Sequence, residues 1–460
     1  MSDEIENQED RDDDAYVLDK RDIAAIRLAA EQGDAELLTQ LMEPLHAADI
    51  ADLLEQVESA ERRDIVRLYG HEFDGEILSE LDESIRHEVI DALTPEVLAD
   101  AVRELDSDDV VDLIEDLEDH QQVTILGALA ESDRVAVETS LAYPEFSAGR
   151  LMQREIVMAP EHWNVGATID FLRANENLPS QFYHIILVNP RMEPVGYVTL
   201  GRLLSSRRDV KLTDMTEESF RTFEVMEDEG DVAYAFNQYH LISAPVVDAD
   251  NRLVGVITID DAMNILDEEH EEDIMRLAGV GEGSLADRVL ETTKARLPWL
   301  AVNLVTAIIA SLVIAQFSDL LTQFVALAVL MPIVASMGGN AGTQSLTVAV
   351  RAIATRDLTG ANVWRVIRRE VLVGLSNGLI FAVVMGIVGY LWFGSSTLGI
   401  VIACAMVVNL VVAGLAGIGI PVLLERFGVD PALASGAFVT TVTDVVGFFA
   451  FLGLAGMMLL

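Results

Sequence analysis

Cysteine is almost absent from this 460-residue chain. The single one, Cys404, lies inside an apolar stretch, so no intrachain disulfide and no cysteine metal cluster can form, and redox chemistry is excluded. Basic residues are also short: Lys and Arg number 30 against 76 Asp and Glu, a formal net charge of −46. From Pro298 onward there is no Lys, and six Arg balance six acids. The entire imbalance therefore belongs to residues 1–297, where 70 acids face 24 bases. Such a half repels nucleic acid and anionic lipid and favours divalent cations or basic partners, although acidic surfaces also serve plain solubility. A basic, apolar leader is missing, which speaks against a secretory signal and places the front half in the cytoplasm. No Ser–His–Asp arrangement, phosphate loop or catalytic carboxylate pair stands out, and all eight histidines precede the apolar half. An enzyme is thus the least supported class.

What is present begins with a tail. Residues 1–20, with Glu9, Asp10, Asp12, Asp13 and Asp14 crowded together, lack the apolar content to fold and predict a disordered acidic segment. Over 21–135 apolar residues return at helical spacing, as in Ile50, Leu53, Leu54 and Val57, then Val110, Leu113, Ile114 and Leu117. Start signals such as Thr94-Pro95-Glu96 and Asp106-Ser107-Asp108 stand between them. This predicts an all-α superhelical domain of stacked helix pairs.

The period changes in 136–270. His184-Ile185-Ile186-Leu187-Val188 and Gly196-Tyr197-Val198-Thr199-Leu200 read as short buried strands. Val188, Val195, Gly196 and Thr199 return 59 residues later as Val247, Val254, Gly255 and Thr258, an internal repeat of a strand–turn–strand–helix unit. The α/β pair resembles a tandem of cystathionine-β-synthase (CBS) domains, which implies a cleft between copies that takes adenine nucleotides. Thr258-Ile259-Asp260-Asp261 fits a T-x-x-D pattern for a ribose hydroxyl, whereas Thr199-Leu200-Gly201-Arg202 lacks the acid. Thr258 and Asp261 are therefore candidate ligands of one ATP at most, and a purely structural CBS pair is the alternative. Residues 264–296 read as one long polar helix, weakly interrupted by Gly279, Gly281 and Gly283, and 271–297 is assigned as a connector helix.

From 298 to 460, hydropathy predicts five transmembrane helices near 298–318, 320–350, 371–393, 398–424 and 432–457, since about 20 apolar residues cross a bilayer. Pro332 predicts a kink in the second, and Gly394-Ser395-Ser396-Thr397 the turn between the third and fourth. Arg351, Arg356, Arg365, Arg368 and Arg369 put the connection between the second and third helices inside. Five crossings then leave the acidic half inside as well and the C-terminus outside. Asp444 lies in the middle of the last apolar run. An ionisable group at that depth is costly unless it meets water or a cation, so Asp444 is a candidate metal ligand. Pro332, Gly338, Gly339, Asn340, Gly342 and Gln344 concentrate small and amide residues in the second helix. Together with Thr441 and its neighbours Thr440 and Thr443, they predict a lined cavity rather than a dry crossing.

The P-x-x-x-x-x-G-G-N-x-G-x-Q segment at 332–344, the Gly428-Val429-Asp430-Pro431-Ala432-Leu433 turn and Thr441-Val442-Thr443-Asp444-Val445 resemble the MgtE family of magnesium channels. The domain order is similar too, over nearly the whole chain after residue 20. Ala437 departs from the family, which usually has proline there, and that puts the local bend of the fifth helix in doubt. The resemblance implies a homodimer in the plasma membrane lipid, with a pore at the subunit interface and Asp444 from each chain holding Mg2+. It also implies a cytoplasmic magnesium sensor in which Asp108, Asp109 and Asp112, with Glu76, face Asp261 of the CBS pair and Glu272 and Asp273 of the connector. Hard oxygen ligands without His or Cys favour hydrated magnesium. Manganese or cobalt transport is the alternative, and a nucleotide-sensing CBS membrane anchor a more distant one. Gly417-Ile418-Gly419-Ile420-Pro421 is similar to a run in CLC chloride channels, but a pore carboxylate has the wrong sign for an anion.

Overall fold

A computed structural model describes residues 18–459, apart from 116, 118, 176, 177, 180, 218, 219 and 281–288. The expected acidic tail lies, up to residue 17, outside the described residues. The chain divides into two compact units, one ending at Glu268 and the other beginning at Glu269.

Among the described residues, the first unit opens with ten short α-helices and one 3-10 turn, from Lys20–Gln32 to Glu131–Ser140. Asp19, Asp34, Asp82 and Thr94 cap four of them by accepting backbone N–H groups in the first turn, satisfying donors that a helix start leaves free. The two spaced apolar sets of the sequence are buried in one core. Buried Arg62 stitches neighbouring helices by donating to the Leu54 carbonyl at 2.7 Å and pairing with Glu88 at 2.7 Å. The last helix runs past the expected boundary at 135 because Val137 packs into the same core.

Two three-stranded sheets follow. Strands β1 (Met158–Pro160), β2 (His184–Val188) and β3 (Pro194–Thr199) form one, and β4 (Phe223–Glu224), β5 (Ser243–Val247) and β6 (Leu253–Thr258) the other. β2 and β5, like β3 and β6, start 59 residues apart, and both hairpins carry a register shift at the same place. Pro245 sits within β5, where the missing N–H is tolerated because β4 reaches only Val246 and Val247. The copies touch through equivalent residues, His184 Nδ1 bonding to Ser243 Oγ, and through Ile186 and Val188 against Leu253 and Val256.

The expected connector differs. A helix runs over Ile259–Leu277 and stops where Gly279 takes φ +68°, a left-handed conformation suited to glycine at a helix end. The single helix over 264–296 is therefore broken before residues 281–288, which lie outside the described set.

Among its described residues, the second unit holds five helices long and apolar enough to cross a membrane. These spans are Val289–Ala315, Val325–Ala354, Val363–Phe393, Ser396–Arg426 and Pro431–Leu459, with a short helix Ser318–Gln323 between the first two. The turn at Gly394 (φ +67°) falls where the sequence placed it. The second span continues unbroken through Pro332, and the fifth through Ala437. Spans three and four meet at backbone distance: a Cβ on Gly374 would lie 2.4 Å from the Leu410 carbonyl oxygen, so only glycine permits that approach. Leu330, Val334, Met406 and Phe451 fill the core among spans two, four and five.

Candidate functional site

The fifth span seats one face, Val439, Thr443, Gly447 and Phe451, against its neighbours. Asp444 lies at the border of that face, half-buried, and has no hydrogen bond or ion pair among the described residues. The hydroxyls around it are occupied within their own helix: Thr440 donates to the Gly436 carbonyl at 2.9 Å, Thr441 to Ala437 and Thr443 to Thr440 at 3.0 Å. A carboxylate without a protein cation at this depth calls for water or an ion.

The second span presents two faces, and the sequence-predicted lining residues divide between them. Gly338 and Gly342 are buried toward the fourth and fifth spans; a Cβ on Gly342 would lie 2.6 Å from Val439 Cγ1. Pro332, Asn340 and Gln344 are exposed at four-residue intervals, with Ser336 between them. Asn340 Nδ2 donates to Ser336 Oγ at 3.4 Å. Gly339 is half-exposed beside them. The polar stripe and the glycine packing thus belong to opposite sides of one helix, a separation that the spacing 332, 336, 340 and 344 already contains.

In the first unit, helix Ser107–Glu115 faces the start of helix Ile259–Leu277 across an acidic seam. Asp108 is buried, and burial first, then the charges of Asp261, Asp109 and Asp106, hold its carboxyl well above the usual range. Burial first, then Asp261 and Asp106, push Asp109 up to about 7. Asp261 rises to about 6 because its burial outweighs the hydrogen bond from Thr258. Asp106 is raised as well, by burial and then by Glu155, Asp260 and Glu76. No Arg or Lys pairs with Asp106, Asp108, Asp109, Asp260 or Asp261 among the described residues. Ser107 locks the seam's edge, its hydroxyl donating to Glu155 at 2.8 Å and accepting the Arg154 N–H at 2.8 Å. Among the described residues no three carboxylates converge closely enough to wrap a bare ion.

Of the predicted sensor acids, the fold brings Asp108, Asp109 and Asp261 together, with exposed Glu76 at the rim. Asp112 points elsewhere, to Arg86 at 3.0 Å. Sequence reasoning missed Asp106, Asp260 and Glu155. Asp106 stood inside a run read only as a helix start, Asp260 inside the run read as a ribose pattern, and nothing marked Glu155. The Thr258–Asp261 pair also changes meaning. The Thr258 hydroxyl and N–H both donate to the Asp261 carboxylate, so the T-x-x-D pattern forms a helix cap and turns its acid into the seam.

Within the second unit, Glu272 pairs with Arg276, which also reaches Asp430 at 2.7 Å. Asp430 Oδ1 accepts the Ala432 N–H at 2.8 Å, capping the fifth span. Asp273 stands beside this pair, and burial, then the charges of Asp430 and Glu269, lift it to about 6. Leu277 packs against the cluster of Leu346, Val350, Ala432 and Val439. Residues 269–277 thus dock on one end of spans two and five.

Comparison with known proteins follows the same division. The family pattern described as MgtE, divalent cation transporter, matches residues 331–454. The MgtE intracellular N domain matches 45–146 and the CBS domain 219–268. The magnesium transporter MgtE of Thermus thermophilus is 31% identical over 449 residues, 96% of this chain and 99% of its own length. That of Bacillus subtilis is 31% identical over 321 residues, 70% of this chain and 71% of its own. Among solved structures, the cytosolic domain of the Mg2+ channel MgtE in complex with ATP is 26% identical with a TM-score of 0.49, covering 53% of this chain and 99% of that one.

Proposed function

The chain belongs to the MgtE family of divalent cation transporters, and from that premise we propose that it conducts Mg2+ across the plasma membrane as a homodimer gated by cytoplasmic Mg2+. The observation that carries this reading is the unpartnered carboxylate of Asp444 in the fifth span. Magnesium is small, prefers six oxygens and sheds water reluctantly, so one or two carboxylates acting through its hydration shell suit it. Asp444 from each of two chains supplies that number. The exposed Ser336, Asn340 and Gln344 stripe gives the second span a polar surface that lipid would not solvate, as a water-lined interface between protomers requires. The C-terminus then lies outside and the acidic domains inside.

The seam fits a sensor by the chemistry of its donors, which are all carboxylate oxygens. Asp108, Asp109 and Asp261 repel one another when ionised, about 4 kcal/mol for unit charges 4 Å apart at an effective dielectric of 20, so the bare seam is held apart by its own charge. A bound divalent ion supplies the opposite sign. Asp273 adds a carboxylate beside the Arg276–Asp430 pair where the helix end meets the fifth span, so neutralising it there braces the helix that carries Asp444. ATP in the CBS cleft is a second reading, for which Thr258 would have to release Asp261; the equivalent Arg202 is engaged by Glu217 at 3.0 Å.

Flux of Mg2+ into liposomes containing the purified chain tests the gating. Millimolar Mg2+ on the cytoplasmic side is expected to suppress flux severalfold, and flux indifferent to it would remove the sensor from this account.

A further inference from the structure

Asn409 stands in the fourth span with none of its surface exposed, and nothing in the ion-binding reading uses it. Its Nδ2 donates to the Val334 carbonyl of the second span at 2.8 Å. A Cβ on Gly338 would lie 2.2 Å from that nitrogen, and one on Gly447 of the fifth span 2.8 Å from it. The amide therefore fills the space that two glycines leave, one on the second span and one on the fifth. Its Oδ1 has no partner. An unsatisfied buried acceptor is unfavourable, whereas a leucine of similar size would fit an apolar helix crossing without that penalty. An amide at this junction implies a demand for orientation that apolar packing does not meet.

Rotation of the fifth span is what the junction controls. Gly447 lies one turn beyond Asp444, on the same face as Thr443, and successive residues of a helix are about 100° apart. A rotation by one residue would drive the Asp444 carboxylate into the crossing or out toward lipid. We propose that Asn409 is a positioning residue for ion passage: its amide, seated between Gly338 and Gly447, fixes the rotation of the fifth span and with it the direction of Asp444. The inference rests on the reading that Asp444 holds the ion.

Flux measured against external Mg2+ concentration in liposomes tests it, with Leu410→Ala as comparison. Leu410 is equally buried, but its Cβ lies near Gly378 of the third span, about 100° round the helix from Asn409, so Leu410→Ala opens a hole of similar size away from Gly338 and Gly447. Asn409→Ala is expected to raise the half-saturating concentration about tenfold, and Leu410→Ala to change it by less than about twofold, though both lower the melting temperature. Gly447→Ala, whose methyl displaces the amide, is expected to reproduce the Asn409→Ala shift and serves if Asn409→Ala does not fold. Equal shifts for Asn409→Ala and Leu410→Ala, or none for Asn409→Ala and Gly447→Ala, overturn the positioning role. Flux from Asp444→Asn equal to that of the unaltered chain overturns the reading beneath it instead.

Discussion

Replacing Asp109 by Asn should close the acidic seam without any metal. Asp109 is half-buried, and its carboxyl is pushed from an ordinary value of 3.8 to about 7 by burial and by Asp261 and Asp106. A shift of roughly three units corresponds to about 4 kcal/mol held against closure once the pH is well above 7. The residue retains some solvent, and screening reduces that figure to about 2 kcal/mol, which is roughly a thirtyfold change in the ratio of closed to open seam. Asparagine keeps the shape and removes the charge. Deuterium uptake over Ser107–Glu115 at pH 8 in chelator reads the ratio directly. The Asp109→Asn chain in chelator is expected to exchange like the unaltered chain in millimolar Mg2+. Equal uptake by the two chains in chelator would refute the idea that mutual repulsion holds the seam open.

The same charges impose a pH dependence. Raised carboxyls favour closure while protonated, so protection of the seam in chelator is expected to be full near pH 4 and to fall as pH rises through about 6 for Asp261 and about 7 for Asp109, with Mg2+ flattening the curve; a curve that rises with pH would reverse the sign. Arg276→Ala removes the side chain that holds Asp430 at 2.7 Å. A partly exposed pair of this kind is worth up to about 1 kcal/mol, so the Mg2+ concentration for half-closure is expected to rise about fivefold, and an unchanged concentration would show that the pair does not brace the fifth span.

Periodicity made much of this fold legible. Ile50 through Val57 and Val110 through Leu117 carry helical spacing in their own side chains, the 59-residue repeat places both hairpins, and the five apolar runs give five spans because a bilayer tolerates few charges. Chain spacing alone did not reveal which acids meet across a fold. Asp108, Asp109 and Asp261 converge while Asp112, four residues from Asp108 on the same helix, turns to Arg86. The helix end at Leu277 was obscured because a polar helix and its polar continuation look alike until Gly279 takes positive φ. Asn409 escaped notice for a related reason: its role depends on two glycines on other helices, and an amide alone in an apolar run carries no local signature.

Magnesium flux through an Asp444→Ala chain, shown to insert and assemble like the unaltered protein, bears most directly on the ion path. With cytoplasmic Mg2+ removed so that the gate stands open, flux is expected to fall to the level of protein-free liposomes, because no other carboxylate lies in the middle of the fifth span. Flux equal to that of the unaltered chain would contradict the assignment of Asp444 as the residue that holds the passing ion.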